Sequence, residues 1–150
     1  MTAFEVILVP TDFDPAAQLA LEHAIDLARP LHAKIVLLYA CPIQYLAPWS
    51  GAMPPDGAVI EAMRDAGRDA LLKIIDAHAK CGVELTALSM LGDARSCILD
   101  AVTKTGADLI VMGTHGRHGF SRFLLGSTAE AIVRTSLVPV LTVHAPAVET

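Results

Sequence analysis

The sequence predicts an α/β domain built on a doubly wound, five-stranded parallel sheet with helices on both faces, and three observations carry that prediction. Short, nearly all-apolar runs alternate with longer stretches whose apolar residues recur at helical spacing. The runs read as strands covered on both sides, because they lack the polar alternation of a sheet with one wet face. Turn residues such as Pro10-Thr11-Asp12, Gly92-Asp93, Gly106 and Gly113 punctuate the runs at their ends.

Phe4 to Val9 is the first strand, closed by Pro10-Thr11-Asp12. Asp14-Pro15 supplies a helix N-cap and a first-turn proline. Leu21, Ala24, Ile25, Ala28 and Leu31 then make the apolar stripe of a first helix, with Pro30 a stop near its end. Lys34 to Ala40 (KIVLLYA) is the second strand. From Cys41 to Gly57, Pro42, Pro48, Pro54 and Pro55 with Gly51 and Gly57 exclude a regular element. A connection of this length is a lid, a partner surface or partly disordered. Its Trp49 is expected to pack on the body or a partner rather than stack on a ligand.

Ala58 to Lys80 resumes a helical pattern, with Leu71, Ile74, Ile75 and His78 on one stripe, Gly67 weakening the middle and Gly82 as the stop. His78 reads as a packing residue. Val83 to Leu91 is a third strand, and Glu84 and Thr86 within it mark a sheet edge. Gly92-Asp93 leads into a helix carrying Ile98, Ala101, Val102 and Thr105, which Gly106 ends. Leu109 to Met112 is the fourth strand, Thr128 to about Ser136 a last helix, and Pro139 introduces Val140 to Val143 as the fifth strand.

A chain of 150 residues is one domain with room for a core. A formal charge of −5 argues against a general nucleic-acid surface, which needs a basic face. Met1 to Asp14 has no Lys or Arg and is broken by Pro10, so it does not read as a signal peptide. No apolar run reaches the ~20 residues of a membrane helix. A soluble, cytoplasmic protein is expected. Cys41, Cys81 and Cys97 are odd in number and form no CxxC pair, so they read as reduced thiols in or near the core.

The segment with the most chemistry runs from Asp108 to Val143. Gly113, Gly116, Gly119 and Gly126 are four of the chain's ten glycines, and their loop ends in Gly126-Ser127-Thr128 where a helical pattern begins. Glycine admits close backbone approach, so successive N–H groups can converge on one point. A helix N-terminus adds unpaired N–H groups and a partial positive charge, which together favour an anion. Ser127 followed by Glu130 also reads as a capping box. In doubly wound folds ligands sit beyond the C-terminal strand ends where the winding switches. If strands one and four adjoin there, the Pro10-Thr11-Asp12 and Gly113 loops face each other across one site.

Several nucleotide folds fail on these residues. No lysine completes a Walker loop, and strand one is followed by PTDFDP rather than GxGxxG. A phosphate-receiving signalling domain would need a late lysine, and none follows Lys104. The spacing Gly113, two residues, Gly116, nine residues, Gly126-Ser127, followed by a helix and PVLTV, resembles the ATP-binding signature of the universal stress protein family. VILVPTDFD and KIVLLYA resemble that family as well, so the likeness covers essentially the whole chain.

The resemblance implies an adenine-nucleotide-binding, Rossmann-like sheet of strand order 3-2-1-4-5. It implies that Asp12 approaches adenosine with Pro10 and Thr11 around it, and that Ala40 pairs with the adenine edge through its backbone. Met112 and Gly113 would lie where ribose and phosphates enter. Gly116, Arg117, Gly126, Ser127 and Thr128 would cradle the phosphates, with His115 touching phosphate or ribose. The implied ligand is ATP, with AMP and ADP as alternatives, and Mg²⁺ on the phosphates. Pairing of two copies through Val140 to Val143 is implied too, along with a regulatory protein partner that the sequence does not identify.

From the residues themselves, a carboxylate beside phosphates is useful only through a metal such as Mg²⁺. Arg117 and Arg122 are cations able to offset phosphate charge. His115 and His118 have no third ligand nearby in sequence, so no protein-held metal is expected. No water-activating base, nucleophile triad or Walker lysine stands out, and efficient catalysis is not expected. Slow ATP hydrolysis, phosphorylation at Ser121, Ser127 or Thr128, and chemistry at the α-phosphate stay open.

Overall fold

The computed structural model describes residues 3–42, 56–114 and 125–145. Five strands and four helices alternate: β1 Val6–Pro10, α1 Pro15–Leu31, β2 Lys34–Cys41, α2 Gly57–Ala77, β3 Leu85–Leu91, α3 Ala94–Thr105, β4 Leu109–Gly113, α4 Ser127–Thr135 and β5 Val140–Val143. All four strand pairings are parallel and the order is β3-β2-β1-β4-β5, as expected. None of the helices is long and apolar enough to cross a membrane among the described residues.

The apolar runs are explained by two cores, one on each face. Ile7, Val9, Ile35, Leu37, Leu109 and Val111 point to one face, where Ala20, Leu21, Ala24 and Ala28 of α1 and Leu71 of α2 cover them. Leu8, Val36, Leu38, Ile110 and Met112 point to the other, against Ile98 and Ala101 of α3 and Ala129 and Ile132 of α4. Alternate residues of each strand thus enter opposite cores, which is why the strands carry no polar period. Below the sheet, the Asp108 carboxylate accepts the N–H groups of Glu5 (2.9 Å) and Val6 (3.2 Å), tying the start of β4 to that of β1.

Three helices start on aspartates. Asp14, Asp56 and Asp93 accept the N–H of Ala17, Val59 and Ser96. The N–H and hydroxyl of Ser96 hold the Asp93 carboxyl below its usual range. Gly106, at φ 71°, ends α3 as expected.

Local patterns misplace several ends. Pro30 lies inside the last turn of α1, and His32 at φ 54° is the actual cap. The second helix stops at Ala77 rather than Lys80, with the His78 ring nitrogen Nδ1 2.8 Å from the Ile74 carbonyl. Gly82, at φ 79°, sits beyond that cap in the turn to β3, where Arg29 reaches the Cys81 carbonyl. β3 begins at Leu85 rather than Val83, and it is an edge strand as read.

The glycine in the middle of α2 has a tertiary reason. A Cβ on Gly67 would lie 2.6 Å from the Ser89 hydroxyl and 2.9 Å from the Tyr39 ring. The helix therefore lies closer to β2 and β3 than any side-chain-bearing residue would permit. Gly67→Ala gains roughly 1 kcal/mol of helix propensity but incurs overpacking of roughly 1–3 kcal/mol. We expect a net loss of stability in urea denaturation, partly recovered by adding Ser89→Ala; a more stable single variant would contradict the close approach.

Candidate functional site

Beyond the C-terminal ends of β1 and β4 lies a cleft of about 720 Å³, its open mouth included. That is the switch point: β1 is followed by a connection toward β2 on one side, while β4 lies on its other side. Pro10, Thr11, Asp12, Ala40, Met112, Gly113, Gly126, Ser127 and Thr128 all line the cleft. His115, Gly116 and Arg117 lie outside the described residues, as do Trp49, His118, Ser121 and Arg122.

The wall from β1 and β2 is made by strand ends of unequal length. The Thr11 N–H bonds the Leu38 carbonyl at 2.8 Å, the last rung of the ladder between them. Alternation in a parallel pair sends the Ala40 N–H and C=O to the same side as those of Leu38. Because β1 ends at Pro10, paired with Leu38, the Ala40 backbone lies past the paired part of β1. Ala94 continues this wall, with the buried side chains of Leu38 and Ile98 backing it.

The loop after β1 turns on itself at once. The Phe13 N–H bonds the Thr11 hydroxyl at 3.0 Å, and the Asp14 N–H bonds the Asp12 carboxylate at 3.2 Å. Asp12 is half-buried, and burial raises its pKa to about 6. The hydrogen bond and the negative charge of Asp14 push in the same direction, whereas the Asp14 N–H opposes them. Asp12 thus caps a turn and also faces the cleft.

Across the cleft, α4 begins differently from the other helices. Its N-cap is Gly126, with no side-chain cap bond, so the expected capping box does not form. The helix starts one residue earlier than Ser127 and Glu130 suggest. Ser127 is already helical, and Glu130 pairs instead with Arg134 one turn on, at 3.1 Å. The N–H groups of Ser127, Thr128 and Ala129 have no acceptor within the helix, and these residues line the cleft.

Thr114 and Asp14 are lining residues that sequence reasoning did not single out as site residues. The Thr114 N–H bonds the Val143 carbonyl, its own carbonyl accepts the Gly126 N–H, and its hydroxyl lies 3.0 Å from His144 Nδ1. It thereby joins the ends of β4 and β5 to the start of α4. Gly113 also differs from its expected reason. A Cβ there would lie 2.9 Å from the Ala16 carbonyl carbon and 3.0 Å from its oxygen, so the missing side chain admits α1.

Cys41 and Cys97 are buried, Cys81 is partly so, and all three are free thiols. Burial pushes the Cys97 thiol up, which keeps it protonated. No group of three or more potential metal ligands occurs among the described residues.

A profile of the universal stress protein family matches residues 3–144. A universal stress protein of Methanocaldococcus jannaschii is 32% identical over 146 residues, spanning 95% of this chain and 84% of its own. A solved structure from the same family, from Burkholderia pseudomallei, has a TM-score of 0.74 at 28% identity, covering 97% of this chain and 99% of that one. A universal stress protein in complex with cAMP has a TM-score of 0.70 at 23% identity, over 97% and 100% of the two chains. Another, from Arabidopsis thaliana with AMP bound, has a TM-score of 0.63 at 20% identity, over 95% and 93%. With a match that runs nearly end to end, on a parallel sheet of order β3-β2-β1-β4-β5, the chain belongs to the universal stress protein family.

Proposed function

We propose that this chain is a regulatory stress-response protein that binds an adenine nucleotide, ATP in the first instance, between the loop after β1 and the glycine-rich loop after β4. The observation that carries this reading is the first turn of α4: N–H groups without a side-chain cap, at the mouth of a cleft whose opposite wall is aliphatic. Such a turn suits phosphate, and such a wall suits a purine. In this reading the adenine lies along Leu38, Ala94 and Ile98, and the Ala40 backbone pairs with its edge. Asp12 accepts from the ribose hydroxyls, while Met112 and Gly113 border the sugar and phosphates. Gly126, Ser127 and Thr128 hold the phosphates, joined by His115, Gly116 and Arg117 from the loop. The family's structures with cAMP and AMP support the adenine nucleotide as the ligand class.

Mg²⁺ enters with the triphosphate. Asp12 and Asp14 are oxygen donors of the right chemistry, but two carboxyls fall short of the six ligands Mg²⁺ takes, and phosphate oxygens and water complete the set. The free thiols support a reducing compartment, the cytoplasm. Pairing of two copies through β5 is the natural use of a sheet edge whose Leu141 is 43% exposed. Val140→Pro removes one donor from that edge and is expected to shift sedimentation toward the monomer; an unchanged dimer would move the interface elsewhere.

Calorimetric titration with ATP, ADP, AMP and cAMP, with and without Mg²⁺, tests the central reading. We expect saturable binding of an adenine nucleotide and none of CTP; no binding at millimolar nucleotide would overturn it. Denaturing freshly purified protein and identifying released nucleotide by mass spectrometry gives an independent answer. Steady turnover of ATP to AMP and pyrophosphate would replace the regulatory reading with an enzymatic one.

A further inference from the structure

We propose that Phe13, whose ring packs on Tyr39 on the far side of the sheet, is the positioning residue that aims Asp12 and Asp14 into the cleft. The inference rests on the nucleotide-binding reading above. Phe13 separates two cleft residues, yet it leaves the cleft itself: its ring centroid lies 4.8 Å from that of Tyr39, tilted by 47°. Tyr39 alternates with Leu38 and Ala40, so it projects to the α1 and α2 face while its neighbours line the cleft. Gly67 of α2 leaves the room that the Tyr39 ring occupies.

The backbone supplies the second observation. Phe13 has φ 67°, in the left-handed region that a bulky residue avoids. A glycine or asparagine would adopt this turn more readily, so the ring contact must offset the strain of the residue that is there. The bonds from the Phe13 N–H to the Thr11 hydroxyl and from the Asp14 N–H to the Asp12 carboxylate both form in this conformation. With the ring seated on Tyr39, the carboxyls on either side are held at the site. With the ring gone, the strained turn relaxes and the carboxyls leave their places. Phe13 touches no ligand in this scheme; it acts through Asp12 and Asp14.

The test compares Phe13→Ala, Phe13→Gly and Phe13→Tyr in the full chain, each verified as folded by near-ultraviolet circular dichroism. ATP affinity is measured by calorimetry, and Asp12 ionisation by carboxyl carbon NMR across pH. We expect Phe13→Ala to weaken ATP binding by about tenfold and to bring the Asp12 midpoint down toward that of a free carboxyl, whereas Phe13→Gly, which takes the left-handed turn without strain, should lose less. Phe13→Tyr keeps the ring and should match the original chain within about twofold. Phe13→Ala with unchanged affinity and an unchanged Asp12 midpoint would overturn the proposal, even with a lowered melting temperature, because a purely structural ring would behave that way. Should the original chain bind no nucleotide, the reading of the cleft fails separately, and amide hydrogen exchange at positions 13 and 14, whose N–H bonds hold the turn, still decides the role of Phe13: exchange unchanged in Phe13→Ala would overturn it.

Discussion

Gly113→Ala is expected to destabilise the fold by about 2–3 kcal/mol and to weaken nucleotide binding in the same variant. The added Cβ would meet the carbonyl carbon, the carbonyl oxygen and the Cβ of Ala16, all at 2.9–3.0 Å. Two of those atoms are backbone in the first turn of α1, so no rotamer change relieves them. The helix must shift as a body, and its start carries Asp14 and Ala17, both of which line the cleft. Adding Ala16→Gly removes only the Cβ contact and is expected to recover a minor part of the loss. Urea denaturation and ATP titration of the single and double variants check this. A single variant that unfolds with the original chain would show that α1 does not need the glycine.

Asp12→Asn is expected to move stability and binding in opposite directions. The Asp12 pKa is raised to about 6 from an ordinary 3.8, so the folded chain holds this proton more tightly than the unfolded one. Stability from this group is fully present below about pH 4 and is lost as pH rises through about 6. Asparagine never ionises and escapes that loss, while its Oδ1 still accepts the Asp14 N–H. For a half-exposed carboxyl, solvent screening reduces the effect to about 1 kcal/mol. The variant should therefore be more stable than the original at pH 7.5 and equal to it near pH 3.5. Its ATP affinity should fall about tenfold, because a charge-assisted acceptor for the ribose hydroxyls is gone. Denaturation across pH and calorimetry test the two halves; equal stability at every pH would remove the argument from burial.

Much of the fold was legible because its determinants are local. Apolar runs at Phe4 to Val9 and Lys34 to Ala40, aspartates before the first and third helices and Gly106 after the third each declare an element within a few residues. What local patterns miss is set by partners distant in the chain. Gly67 reads as a weak helix residue until Tyr39 and Ser89 lie against it, and Gly113 reads as a ligand glycine until Ala16 does. Ser127 and Glu130 have the spacing of a capping box, but Gly126 takes the cap, and one residue of offset moves both side chains out of reach. At the site, the glycine-rich loop and the facing Asp12 loop were legible from the residues and the winding of the sheet, whereas Ala40 came from the resemblance. Thr114 escaped because threonine after a strand is unremarkable until its partners Val143, Gly126 and His144 converge on it.

The floor of the cleft is not a separate layer laid over the core. Leu38, Ile98, Met112 and Ala129 line the cleft and also build the second core. A molecule seated there rests against side chains that are already buried and whose packing holds the sheet to α3 and α4. Occupancy then adds to folding stability by mass action, about 2.7 kcal/mol when free ligand exceeds its dissociation constant a hundredfold. If the nucleotide-binding reading holds, resistance to proteolysis should follow the supply of ligand, and the lifetime of the chain itself would become a readout of nucleotide concentration.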